Sequence, residues 1–226
     1  MAVILARGGS KGLINKNLRQ ICKVPLLVWT IEQCLAGGID EVFVSSDSSE
    51  ILECGAKYGA ELIVRPEQFA SDSATSEIAW LHAINVIESH SGKIDWVFAP
   101  QVTSPLREPS DIQRAIEVIN SGNFDSLFSC SEVSDLFVWE EIAGQLQSLT
   151  YDWKDRKRRQ DISKRFVENG SFYAFKPELL RQNTNRLGGR IGRVEMDGWK
   201  SQEIDSADDL NICEVLMKAY LAPKFE

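Results

Sequence analysis

A chain of 226 residues, 43% of them hydrophobic, is long enough for one α/β domain with a sizeable core. Its formal net charge of −8 argues against nucleic acid as the main partner, which ordinarily needs a basic face. No apolar run approaches the roughly 20 residues of a membrane span, the first strand starts at Met1 with no room for a secretory leader, and the five scattered cysteines lack any CxxC spacing, so a soluble cytoplasmic protein with reduced thiols is expected.

The first strand, Ala2 to Leu5, runs straight into the loop ARGGSKGLINKNLR. Gly8, Gly9 and Gly12 let the backbone fold tightly and let a ligand approach the main chain, while Arg7, Lys11, Lys16 and Arg19 gather positive charge in an otherwise acidic chain. An anion, phosphate above all, is expected there. The loop is neither a Walker sequence, which needs Lys followed by Ser or Thr after its last glycine, nor a dinucleotide G-x-G-x-x-G opening a helix. Read as a bare string, Gly-Gly-Ser-Lys-Gly is a weak signal, with an ordinary basic surface loop as the alternative.

A crossover helix is predicted from Leu26, with Trp29, Ile31 and Leu35 at near-helical spacing and Gly37-Gly38 as its stop. Glu41 to Ser45 reads as the second strand, and Ser48 or Ser49 caps the next helix through Tyr58. Asp47 stands between them, either as a ligand contact at a strand's carboxyl end or as an Asx turn. Glu61 to Val64 is a third strand. After it come Arg65 and the polar loop FASDSATS, whose hydroxyls and backbone N–H groups make a second anion or base-edge site at the start of a helix from Ser76 to Ser89. Ile94 to Ala99 and Asp125 to Cys130 are further strands, separated by a turn-rich stretch and a helix from Ser110 to Ser121.

This alternation predicts a Rossmann-like, mainly parallel sheet with helices on both faces. From Ser131 the period changes. Phe137 to Trp139 and Ser148 to Tyr151 around Gly144 read as a hairpin, Trp153 to Arg165 is basic, and β character returns at Gly170 to Phe175, followed by a short helix after Pro177, a strand from Arg193 to Met196 and a helix from Asp208 to Tyr220. Taken alone, Asn169-Gly170 is a β-turn pair, His82 and His90 are structural, and Phe166, Phe172 and Phe175 are candidates to border a pocket.

Five stretches in this order resemble the CMP-sialic acid synthetases, or N-acylneuraminate cytidylyltransferases: the opening loop through Lys16-Asn17, Arg65 with ASDSATS, QVTSPLR at 101–107, RRQD at 158–161 with ENGSFY at 168–173, and Asp205 before the last helix. The resemblance implies one domain of the nucleotide-diphospho-sugar transferase type over 1–226, with 133–166 inserted as a dimerisation and lid element, and a homodimer. It implies transfer of CMP from CTP to the anomeric 2-hydroxyl of a nine-carbon sugar acid, with loss of pyrophosphate.

By the same resemblance, Ala6, Arg7, Gly8, Ser10, Lys11, Lys16, Asn17, Arg65, Ala74 and Ser76 would bind CTP. Gln101, Arg159, Gln160 and Asn169 would face the sugar acid, Arg7, Lys16, Arg159 and Asp205 would be catalytic, and Asp205 with Glu203 would hold Mg²⁺ or Mn²⁺. Glu203 replaces the family's usual first Asp, so it binds the ion directly, acts through water or does neither. Val138 stands where relatives tend to carry a basic residue. Alternative readings are a cytidylyltransferase for legionaminic acid, pseudaminic acid or the eight-carbon acid Kdo, and more remotely a nicotinamide-dependent oxidoreductase or a non-catalytic nucleotide-binding protein.

Overall fold

In a computed structural model, which describes residues 1–9, 12–133 and 136–221, the tetrapeptide Ala2–Leu5 (β1) lies inside a seven-stranded sheet. A two-residue hairpin, Gln20–Ile21 (β2) and Val24–Pro25 (β3), precedes Leu26–Ala36 (α1). Val42–Ser46 (β4), Ser49–Lys57 (α2), Glu61–Val64 (β5), Ser76–Ser91 (α3), Val97–Pro100 (β6), Pro109–Asn120 (α4) and Ser126–Val133 (β7) follow. The second half holds Trp139–Ile142 (β8), Gln145–Ser148 (β9), Arg165–Phe175 (β10), Pro177–Asn183 (α5), Ile191–Glu195 (β11) and Ala207–Tyr220 (α6).

The sheet order is β11-β7-β10-β6-β1-β4-β5, parallel except for β10, which runs against both neighbours. Apolar residues on consecutive positions of β1 follow from cover on both faces. Ala2 and Ile4 join Leu26, Ile31, Ile112 and Met217 on one side, whereas Val3 joins Trp80, Ile84 and Phe175 on the other. Each such fully buried large side chain contributes about 1.5–3 kcal/mol. Among the described residues no helix is long and apolar enough to cross a membrane.

Three differences from the sequence reading have local causes. First, β10 begins at Arg165 rather than Gly170 and shifts register between Glu168 and Tyr173, so Asn169-Gly170, with Gly170 at φ +66, is a bulge inside a strand and not a free turn. Second, Phe172 and Phe175 are completely buried and Phe166 lies 4.0 Å beneath the Arg193 guanidinium. Phe172 and Phe175 are therefore core, whereas Phe166 is a cation–π partner that borders a separate cavity with Phe128 and Arg193. Third, the hairpin forms, but its second strand ends at Ser148. There the Thr150 hydroxyl donates to Leu136 O and accepts from Val138 N, and the Tyr151 ring turns edge-on to Phe137 and Trp139. Ala143 and Gly144, both at positive φ, close β8 to β9 as a two-residue turn, and the pair stands as a sheet of its own.

Candidate functional site

Parallel strands end on one side of the sheet, and ligand clefts of open α/β folds lie outside those carboxyl ends where neighbouring connections diverge. Here β1 is flanked by β4 and β6, and a cleft of about 450 Å³ opens beyond it. Arg7, Lys16, Asn17, Arg65, Ala74 and Ser76 all line it, although the chain delivers them from three separate loops. Ala6 is fully buried and extends the β1–β4 ladder by donating to Ser45 O, so it offers the site backbone only. Ser10 and Lys11 lie outside the described residues.

Local chemistry shapes the loop. Asn17 is buried and its Nδ2 donates to Arg7 O at 2.9 Å, tying the two ends of the loop together. At Gly12 a Cβ would stand 2.8 Å from Asp205 O, so only glycine lets this turn rest against the segment before α6. Across the cleft, Thr75 caps α3 by accepting from Ile78 N, leaving the helix start open towards Ala74 and Ser76.

The electrostatics are those of a site waiting for an anion. Three donors around the cleft each hold a carboxylate: Arg7 Nη1 meets Asp72 Oδ1 at 2.9 Å, Lys16 Nζ meets Asp205 Oδ1 at 3.0 Å, and the Gly8 N–H donates to Asp47 Oδ1 at 3.0 Å. Solvent-exposed pairs of this kind contribute about 0–1 kcal/mol, so a polyphosphate can displace them at little cost. Arg65 differs. It is 5% exposed, its Nε and Nη2 meet no acceptor among the described residues, and burial pulls its guanidinium below the usual arginine range, with Asp47 opposing. A buried cation with two unmet donors on a cleft wall is a place for a ligand's oxygen or nitrogen. His82 behind it stacks on Phe69 with ring centroids 5.0 Å apart, and burial, then Arg65, holds its imidazole below the normal histidine value.

Asp205 pairs with Lys16 of the cleft wall, its own side chain 76% exposed to solvent. Glu203 is half-buried and lies over the β10 bulge, with Oε1 1.5 Å from where a Cβ of Gly170 would be. Burial first, then the Asp205 charge, raises the Glu203 carboxyl above the ordinary glutamate value. These carboxylates therefore stand close enough to feel each other beside one lysine.

The residues expected at the sugar are placed less uniformly, and Gln101, Gln160 and Asn169 do not line the cleft. Gln101 follows β6, with its N–H on Ser171 O. Gln160 lies in the exposed 3₁₀ turn Arg159–Asp161, and the Arg159 side chain lies outside the described residues. Asn169 is 4% exposed, its Oδ1 accepts from Ser171 N and its Nδ2 points to Met196 Sδ at 3.4 Å, so it holds the bulge together. Sequence reasoning missed Arg107 and Lys200. Both look like surface cations in the sequence, yet they are 1% and 3% exposed.

The frame is that of a nucleotidyltransferase. The solved structure of CMP:2-keto-3-deoxy-manno-octonic acid synthetase complexed with CTP superposes with a TM-score of 0.70 over 97% of this chain and 98% of its own, at 18% identity, a likeness of fold. The profile of the cytidylyltransferase family matches residues 1–182, and the chain belongs to that family. N-acylneuraminate cytidylyltransferase A from Danio rerio is 33% identical over 218 residues, which cover 94% of this chain and 49% of the relative. This chain thus spans about half the length of that relative. A pseudaminic acid cytidylyltransferase from Campylobacter jejuni is 33% identical over 180 residues, 76% of each chain.

Proposed function

We propose that this chain transfers CMP from CTP to the anomeric 2-hydroxyl of a sialic acid or a related nine-carbon acid, releasing pyrophosphate. The observation that carries the reading is the convergence of Arg7, Lys16, Asn17 and the unsatisfied Arg65 on one cleft in a cytidylyltransferase-family chain. Transfer at a phosphorus needs little covalent help from protein, because positioning and charge neutralisation do most of the work. Arg7 and Lys16, with Ser10 and Lys11, hold the triphosphate. Asn17 fixes the loop at the ribose end, and Arg65 with Ala74 and Ser76 receives the nucleoside. Gln101, Arg159 and Gln160 face the acceptor acid, and Asn169 acts by keeping the Gly170 bulge in shape.

The acidic residues fit a hard divalent cation. Among the described residues no group of three or more His, Cys, Asp or Glu could hold a metal. Mg²⁺ commonly takes only one or two carboxylates and completes its octahedron with phosphates and water, which matches the pair Asp205 and Glu203. Mg²⁺, or Mn²⁺ in its place, would supply charge neutralisation on the phosphates. Asp205→Asn is expected to weaken metal-dependent turnover far more than Glu203→Gln, because Asp205 is solvent-exposed beside Lys16 whereas Glu203 is half-buried over Gly170. Equal, mild losses in a titration of rate against Mg²⁺ would move the metal elsewhere.

The direct test is pyrophosphate release from CTP with N-acetylneuraminate, legionaminate, pseudaminate and Kdo supplied in turn, each with and without Mg²⁺. Release with a nine-carbon acid supports the reading, and none with any of them overturns it. Pseudaminate is a real contender, since the two relatives named above are each 33% identical to this chain, over 218 and 180 residues, and Val138 departs from the basic residue that relatives tend to carry there.

A homodimer is also proposed. Trp139, Ile142, Leu146, Leu149 and Trp153 are all at least 40% exposed around the β8–β9 hairpin, and such an apolar patch on a separate small sheet ordinarily marks an interface. The inserted dimerisation and lid element expected at 133–166 falls here, with positions 134 and 135 outside the described residues. Sedimentation equilibrium at micromolar concentration should give twice the chain mass, and Leu146→Glu should shift it to monomer.

A further inference from the structure

The segment from Gly198 to Ser206 carries both acidic residues of the site and is fastened at nearly every step. Ser201 Oγ meets Ser131 Oγ at 2.8 Å, Gln202 Nε2 donates to Asp209 Oδ1, and the buried Ile204 donates its N–H to Thr103 O at 2.8 Å. Ser206 and Asp209 then form the reciprocal cap of α6. The first fastening is of another kind. Lys200 is 3% exposed, and its Nζ lies 2.8 Å from Glu108 Oε2 and 2.8 and 3.1 Å from the two Asp111 oxygens. Asp111 is fully buried, accepts from Glu108 N in the cap of α4 and also pairs with Arg114. Next to Lys200, Trp199 stacks on Tyr220 at the end of α6, with centroids 4.5 Å apart.

A buried ammonium between carboxylates is no more stabilising than an apolar filling of the same shape, since desolvation offsets most of the attraction. What it does provide is register. If the 3₁₀ turn Gly198–Ser201 slid by one residue, Lys200 would leave the fully buried Asp111 with Arg114 and Glu108 N but without its buried cation, and the contacts that follow would shift with it. Glu203 and Asp205 come three and five positions later, so their placement beside Lys16 and Gly170 depends on where Lys200 is held.

We propose that Lys200 is a positioning residue that sets the location of the Asp205 and Glu203 carboxylates for a divalent cation. The inference rests on the reading of Asp205 as a holder of that cation. Lys200 touches neither carboxylate and acts on them through the main chain, so the lower end of the change of about 10–100-fold that follows removal of a direct partner of a metal ligand is the expected scale.

The experiment is Mn²⁺ binding to the full chain with CTP and no acceptor, followed through the electron paramagnetic resonance signal of free Mn²⁺. Lys200→Met is expected to weaken Mn²⁺ at least tenfold, while metal-free CTP binding, carried by Arg7, Lys16 and Arg65, changes less than threefold. Should that variant not fold, Glu108→Gln keeps the Asp111 pair and is expected to weaken Mn²⁺ about threefold. A folded variant with a lowered Tm and wild-type Mn²⁺ affinity overturns the proposal, leaving Lys200 a stability residue. Asp205→Asn in the same assay separates the two readings. If it loses Mn²⁺ and Lys200→Met does not, only the positioning role fails; if Asp205→Asn binds Mn²⁺ as the parent does, the metal reading fails and this inference with it.

Discussion

Lys16→Ala is expected to lower kcat/KM for CTP by about 10²–10³-fold, or roughly 2.7–4 kcal/mol of transition-state stabilisation, the scale of losing one preorganised donor from a site where charge develops. Lys16 is the better anchored of the two described cations proposed to hold the triphosphate: its side chain is 17% exposed, against 36% for Arg7. Its Nζ also sits between the opening loop and Asp205, so removing it takes a positive charge from the phosphates and leaves Asp205 repelling them. Arg7→Ala should cost less, because the more exposed guanidinium is screened more by water. Steady-state kinetics over a range of CTP, with equilibrium CTP binding alongside, checks both. Unchanged turnover for Lys16→Ala would remove it from the chemistry.

How this site could be read from the sequence depends on how local its signals are. The opening loop is legible because strand, glycines and cations lie within a few residues, and the structure places Arg7, Lys16 and Asn17 on one cleft. Arg65, Ala74 and Ser76 needed the resemblance to be linked to them, since the β1–β4–β5 order that brings their loops together is a tertiary fact. Asn169 shows the reverse: the resemblance puts it at the sugar, but in the fold its amide is occupied by Ser171 N and Met196 Sδ. The start of β10 was missed for the same reason. Lys164, Arg165 and Glu168 look like loop residues, yet Arg165 to Glu168 pair with Val133 to Cys130 on a long antiparallel strand. Buried cations are the hardest to foresee. A lysine or arginine carries no mark in the sequence that its partners, separated by many residues, will enclose it.

Arg107 is the case with the largest expected cost to the fold. Its guanidinium is 1% exposed and donates from Nη1 to Ser171 O at 2.7 Å, and from Nη2 to Thr30 Oγ1 at 2.9 Å and Gln101 O at 3.0 Å. One side chain therefore pins the loop after β6 to the β10 bulge and to α1. Burial, opposed by Cys34 and Asp111, draws its pKa down to about 10, so it stays charged at neutral pH. Arg107→Met keeps much of the apolar stem but removes three charge-assisted hydrogen bonds, each worth about 1.5–3 kcal/mol, with part of the loss returned because no charge is buried and because Ser171 O, Gln101 O and Thr30 Oγ1 keep their bonds to Gln101 N, Ser104 N and Leu26 O. A net loss of about 3–5 kcal/mol is expected. At about 2–4 °C per kcal/mol for a domain of this size, Tm should drop by roughly 6–20 °C in a calorimetric scan. Arg107→Lys should fall in between, because a lysine keeps the charge but lacks the planar fork that reaches α1 and β10 together. A Tm within about 2 °C of the parent for Arg107→Met would mean that the loop carrying Gln101 is held by its backbone bonds alone, namely Gln101 N on Ser171 O and Thr103 O with Ile204 N.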